Sequence, residues 1–188
     1  MLGEAIAAVA LSLLGGNQAA SVIPTPIGVG ARYRLAAAPR AIRDRHAVAG
    51  MRCRARRGGW SSAHVEVFAQ RRVVVIPAGI GIGGRVEHDG AYVAAGRCSY
   101  PVRTVAPTGV VQIERRARRT VGDLFDLWGQ RLDRRRLAGF RGRVHAFVGG
   151  RPWRGDVGAI PLRHHAQIVL EVGGYVPPHP LFLFADGA

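Results

Sequence analysis

The stretch Ala63-His-Val-Glu-Val-Phe-Ala-Gln-Arg-Arg-Val-Val-Val-Ile76 decides the fold class. His64, Glu66 and Phe68 alternate with Val65 and Val67, the period of a strand with two different faces. After Gln70-Arg-Arg72 the apolar run Val73 to Ile76 closes on Pro77-Ala-Gly79, so the pair reads as a hairpin whose second strand is largely buried. Gly79-Ile-Gly-Ile-Gly-Gly84 follows. No helix with a Lys-Ser/Thr start succeeds it, so it reads as a flexible connection rather than a phosphate-binding loop. Further strands are expected at Arg97-Cys-Ser-Tyr100, ended by Pro101, at Gly109 to Glu114, at Arg143 to Val148 and at Ala166 to Val172. The Gly149-Gly150 pair turns the chain from Val148 into Arg151-Pro-Trp153.

Thr120 opens the one helix expected in this region. Asp123 stands three residues on, as in a capping box, and Val121, Leu124, Phe125, Trp128 and Leu132 form one apolar stripe, simpler as core packing than as a cofactor contact. Strands, one helix and further strands make an α+β order. The expectation is a β-grasp-like mixed sheet of about five to six strands with one main helix packed on one face.

The chain has 188 residues and a mass of 20.1 kDa, enough for one domain with appendages. Residues 1–21 contain the apolar stretch Ala5 to Leu14, which suits a signal peptide or other N-terminal apolar segment and is too short to span a bilayer. Residues 22–50 read as a linker, 51–176 as the α+β domain and 177–188 as an extended Pro-rich tail. Location outside the cytoplasm, secreted or membrane-tethered, is expected on these grounds, with a cytoplasmic protein as the alternative.

All 27 basic residues are Arg, against 12 acids, for a net charge of +15. Lys is absent and Asn occurs once, at Asn17, which is what a very GC-rich coding sequence produces. The excess is local: residues 98–143 hold 11 Arg and 4 acids, whereas residues 144–188 hold 3 of each. Arg115, Arg116, Arg118, Arg119, Arg134, Arg135 and Arg136 are the candidate footprint of an anionic partner such as nucleic acid, with Trp60, Tyr100 and Trp153 available to stack. A charge run is otherwise a solvated face.

Cys53 and Cys98, the only cysteines, pair most simply as one disulfide in an exported domain. His64 and Glu66 project from the same strand face and could share a metal, but they are two ligands of the three or four required. His164 and His165, if on a strand, point to opposite faces. No nucleophile with a base and an orienting acid is recognisable, and no cofactor is implied.

The blocks Val48 to Cys53, Ala63 to Phe68, Ile76 to Ile82, Cys98-x-Tyr100, Gly109 to Glu114, Leu124-Phe-Asp-Leu-Trp-Gly-Gln130 and Ile160-Pro-Leu162 resemble an uncharacterised family of bacterial extracytoplasmic domains. That family opens its first strand with alternating histidines and reads His-Thr-His-Asp before Gly-Ile-Ile-His-Ile-Glu. Such alternation suits a metal on one sheet face. Here Trp60 and Ser62 stand at the earlier histidine positions and only His64 remains. Arg103, Val105 and Ala106 surround Thr104, and Gln112 replaces the later histidine. The resemblance implies a His-depleted member that keeps the scaffold and has lost the metal. The expected function is a non-enzymatic binding or structural domain of unknown ligand, with nucleic-acid binding and a degenerate metal site as alternatives.

Overall fold

The computed structural model describes residues 25–36, 47–55 and 59–185; the apolar segment at residues 1–21 and much of the 22–50 stretch lie outside them. The chain is mostly strands with one α-helix among the described residues. In chain order these are β1 (Trp60–Ala69), β2 (Arg72–Val73), β3 (Ile82–Gly83), β4 (Glu87–Asp89), β5 (Tyr92–Ala95), β6 (Cys98–Ser99), β7 (Val102–Arg103) and β8 (Val110–Glu114). Helix α1 (Val121–Trp128) follows. Then come β9 (Leu132–Asp133), β10 (Arg136–Leu137), β11 (Phe140–Arg141), β12 (Val144–Val148), β13 (Arg151–Pro152) and β14 (Gln167–Val172). The main sheet is mixed and has seven strands, ordered β13-β12-β14-β1-β8-β7, with β2 also paired to β1. It exceeds the expected count because β7 and β13 are two-residue pairings too short to leave a periodic signal; of the second hairpin strand expected over Val73 to Ile76, only Val73 lies in a strand, β2.

At its centre β1 runs parallel to β14, His64 opposite Gln167 and Ala69 opposite Val172. The opposite edge of β1 is shared by β8, antiparallel along Trp60 to His64, and by β2 beyond the turn. That turn is Gln70-Arg71, both at positive φ (52° and 58°), the conformation a two-residue hairpin needs to follow the strand twist. The crossover from β1 to β14 carries α1 onto one face. There Ala63, Val65 and Val67 pack with Val111, Ile113, Ile168 and Leu170 against Leu124, Phe125, Leu127 and Trp128.

The helix begins and ends as its residues dictate. Thr120 Oγ1 accepts from the Asp123 amide at 3.4 Å, Asp123 Oδ2 accepts from the Thr120 amide at 2.9 Å, and Gly129 closes the C-terminus at φ 69°. The stretch read as a linker, residues 22–50, contributes to the fold through its described residues 25–36. Tyr33 packs on Phe140 with ring centroids 4.8 Å apart, and Trp128 Nε1 donates to the carbonyl oxygen of Ala36 at 3.0 Å. No helix among the described residues is long and apolar enough to cross a membrane.

The run from Gly79 to Gly84 is not the flexible connection its glycines suggest. Gly79 to Gly83 are buried, and the loop is stitched to the strand after Cys98 by Gly79 N to Thr104 O, Thr104 N to Ile80 O and Tyr100 N to Gly81 O, at 2.8–3.0 Å. The buried Thr104 hydroxyl adds a bond to the Pro77 carbonyl at 2.7 Å. Gly81 sits at φ +70°, and a Cβ there would lie on the carbonyl oxygen of Val102. Glycine serves here for close backbone approach. Gly81→Ala is therefore expected to destabilise the fold by about 2–4 kcal/mol in urea unfolding; a loss below about 0.5 kcal/mol would show that the loop does not hold this conformation.

Candidate functional site

Strand alternation places Trp60, Ser62, His64, Glu66 and Phe68 on the face of β1 away from α1. Register adds Gln112 beside Ser62, Arg103 beside Gln112, Gln167 beside His64 and Glu171 beside Phe68. The C-terminal segment crosses this polar face. Phe182 stacks on the His64 ring at 3.7 Å and 12°, and Phe184 stacks on His165 at 4.3 Å and 13°.

His64, 4% exposed, is the hub of a chain of side chains. Its Nδ1 lies 2.7 Å from Gln167 Oε1, and its Nε2 lies 2.9 Å from the Thr108 carbonyl oxygen. Gln167 Nε2 in turn donates to Glu66 Oε2 at 3.0 Å, and His179 Nδ1 donates to both Glu66 oxygens at 2.9–3.0 Å. Gly109, at φ +80°, lets the backbone pass this ring: a Cβ would come within 2.9 Å of His64 Nε2. The expected pair His64 and Glu66 is thus on one face, as its spacing implied. However, both His64 nitrogens already contact oxygens, of Gln167 and Thr108, so a cation at this ring would have to displace one of them. Among the described residues no group of three or more His, Cys, Asp or Glu is placed to hold a metal ion.

A second cluster on this face assembles around Arg103. Its guanidinium lies 3.9 Å from the Trp60 ring centroid, its Nε donates to Gln112 Oε1 at 2.8 Å, and its Nη1 donates to Ser99 Oγ at 3.3 Å. Trp60, Gln112 and Arg103, on three adjacent strands, form one cation–π and hydrogen-bonded cluster. Burial pushes the Arg103 guanidinium below its ordinary value. Ala106, by contrast, lies past the end of β7 and is buried. His164 and His165 occupy a turn rather than a strand, with His165 at φ 57° and the two rings stacked 3.7 Å apart.

The arginine clusters separate. Arg115, Arg118, Arg119 and Arg163 line an open groove of about 990 Å³ with Thr120 and His164, at the end where β1 starts and β14 is entered. In it Arg115 Nε donates to the Trp60 carbonyl at 3.1 Å and Arg119 stands 4.0 Å from Asp123. Arg134, Arg135 and Arg136 lie elsewhere, in the meander of β9, β10 and β11, beside the far end of β14. Cys53 and Cys98 form a disulfide, with Cα atoms 5.4 Å apart.

Gln167, Glu171, His179 and Phe182 were not singled out by sequence. The first two carried a legible signal, because in Gln167-Ile-Val-Leu-Glu-Val172 they sit four apart and so share a face. The partners of His179 and Phe182 could not be read, since an extended tail has no periodicity to say where it lands. Comparison with family models, curated proteins and solved structures finds no match to this chain.

Glu171, 1% exposed, is the most perturbed group on this face. Its Oε1 has no hydrogen-bond partner among the described residues, and burial pushes its carboxyl up to about 7 against the lowering effect of the Val176 backbone N–H. A carboxyl raised from 4.5 to about 7 binds a proton in the folded chain that the unfolded chain has already lost between those values. Stability is therefore full below pH 4.5 and falls as pH rises to about 7, by an amount on the order of 3 kcal/mol. Glu171→Gln removes the buried charge, so it is expected to stabilise the protein at pH 8 and to change little at pH 4. Equal melting-temperature shifts at both values would refute the assignment.

Proposed function

We propose that this chain is a non-enzymatic binding or structural domain working outside the cytoplasm, secreted or tethered to a membrane. The observation that carries the reading is the Cys53–Cys98 disulfide, since such bonds persist in oxidising compartments. It ties the segment before β1 to β6 across 45 residues. On the chain-entropy model that closure is worth about 4 kcal/mol, a large share of a small domain's stability. A non-enzymatic role is supported by the polar face, where His64, Glu66 and Arg103 are each engaged by neighbours within the chain.

In this reading the mixed sheet with α1 on one face is a β-grasp-like roll, and the chain is a His-depleted relative of the family its blocks resemble. Support for the second point is positional. Trp60, Ser62, His64, Gln112 and Arg103 share one sheet face, so histidines at those places would converge. Arginine at 103 fills that place with a fixed cation.

Two measurements test this. Protein recovered from its native compartment and denatured without reductant is expected to show no titratable thiol; two free thiols would overturn the export reading. Metal analysis addresses the lost site. Wild-type protein is expected to carry less than about a tenth of an equivalent of zinc or copper, and the W60H/S62H/R103H/Q112H variant close to one. A folded variant that binds no metal would refute the lost-site reading.

A further inference from the structure

The meander β9-β10-β11 concentrates charge in a way its own fold does not neutralise. Leu137 and Phe140 are buried and pin it to the core, while Arg134, Arg135, Arg141 and Arg143 are exposed and Arg136 is half-buried. Register places Arg136 directly opposite Arg141. Like charges facing each other across two strands are destabilising. Asp133 stands opposite Arg136 on its other side and its Oδ1 accepts from the Arg135 amide at 2.7 Å; among the described residues no ion pair reaches these guanidinium groups, so a single acid faces the five arginines.

These five arginines and Gly142 line a groove of about 660 Å³. A second groove, of about 480 Å³, shares Arg134 and Arg143 with it and adds Arg154 and the half-buried Trp153, whose Nε1 is held by the Asp156 carbonyl at 3.0 Å. Two grooves joined through shared arginines suit an extended anion rather than a single one, and a positioned indole beside them suits a flat base. Arginine forks match phosphate oxygens, and a basic groove with an aromatic platform is how single strands are held without sequence readout. The groove at Arg115 and Arg118 has His164, already stacked on His165, as its aromatic lining residue and no tryptophan, and its Arg119 already faces an acid.

We propose that the β9–β11 meander and the β12–β13 hairpin together bind single-stranded nucleic acid through its phosphodiester backbone, with Trp153 available to stack. The proposal rests on reading the chain as a non-catalytic binding domain and is independent of the compartment.

The test uses the full, disulfide-bonded chain and a fluorescein-labelled oligothymidylate of about 20 nucleotides, followed by anisotropy at about 50 mM salt. R136Q/R141Q is expected to weaken binding by about tenfold or more and to lower the slope of log affinity against log salt by about 1.4, two phosphate contacts' worth. R115Q/R118Q, which removes the same charge at the other end of the sheet, is expected to change affinity by less than about threefold. A melting temperature at or above wild type verifies that R136Q/R141Q is folded. Should that pair fail to fold, R134Q/R143Q, both exposed and shared by the two grooves, gives the same readout. Three results overturn the proposal: no binding at this salt, equal losses in the two variant pairs, or displacement by polyglutamate as effective as by unlabelled oligothymidylate at equal charge. A folded protein that binds no oligonucleotide removes this site alone, whereas the export reading falls only on the thiol measurement.

Discussion

The parallel pairing of β1 with β14 has to be covered on both sides, because strands joined in parallel at a sheet centre leave neither face to solvent. One face is covered conventionally, by α1 and the crossover around it. The other carries Ser62, His64 and Glu66 of β1, and among the described residues it is the C-terminal segment that crosses and closes it. That segment does so with Val176 against Phe68 and Val169, Phe182 on His64, and Pro180 against the Gly149-Gly150 turn. Covering a polar face requires that its groups be satisfied, and the His64–Gln167–Glu66–His179 chain follows from this. Glu171 is where satisfaction is incomplete, and its raised carboxyl follows from that shortfall.

The same constraint explains what was legible in the residues beforehand. Alternation at 63–68, the capping box at Thr120 and the apolar stripe through Trp128 are local patterns, and the strands and the helix stand where they point. Pairing partners are not local. Nothing in Cys98-Ser99 says that it pairs with Ile82-Gly83 rather than with the main sheet, and that pairing turns a glycine-rich run into buried structure. Glycines were read for the freedom they have in an unfolded chain. At Gly81 and Gly109 they serve instead to let backbones meet, which is visible only once the opposing carbonyl is in place.

Candidate site residues divide in the same manner. His64 and Glu66 share a face because two residues apart on a strand must do so. Whether they bind anything depended on Gln167, Thr108 and His179, distant in sequence, which engage them first. Likewise Cys53 and Cys98 could be paired by elimination, since the chain has two cysteines. The seven arginines could not be grouped by sequence, because Arg119 and Arg134 are close along the chain and lie at opposite ends of the β1–β14 pair.

Net charge of +15 therefore describes this surface poorly, and what distinguishes one arginine from another is what it touches. Arg103 is half-buried, stacked and hydrogen-bonded, and its charge is part of the fold. Arg115 and Arg119 are tethered, one to a carbonyl and the other near an acid. Arg136 and Arg141 are held opposite each other by strand register, with Leu137 and Phe140 buried between them and fixing the turn. Coding bias accounts for arginine in place of lysine at all of these positions alike. It does not account for two arginines standing opposite each other in register, because that register is set by the buried neighbours. Asp133, in register with Arg136 on its other side, offsets only part of the charge that the five arginines bring together.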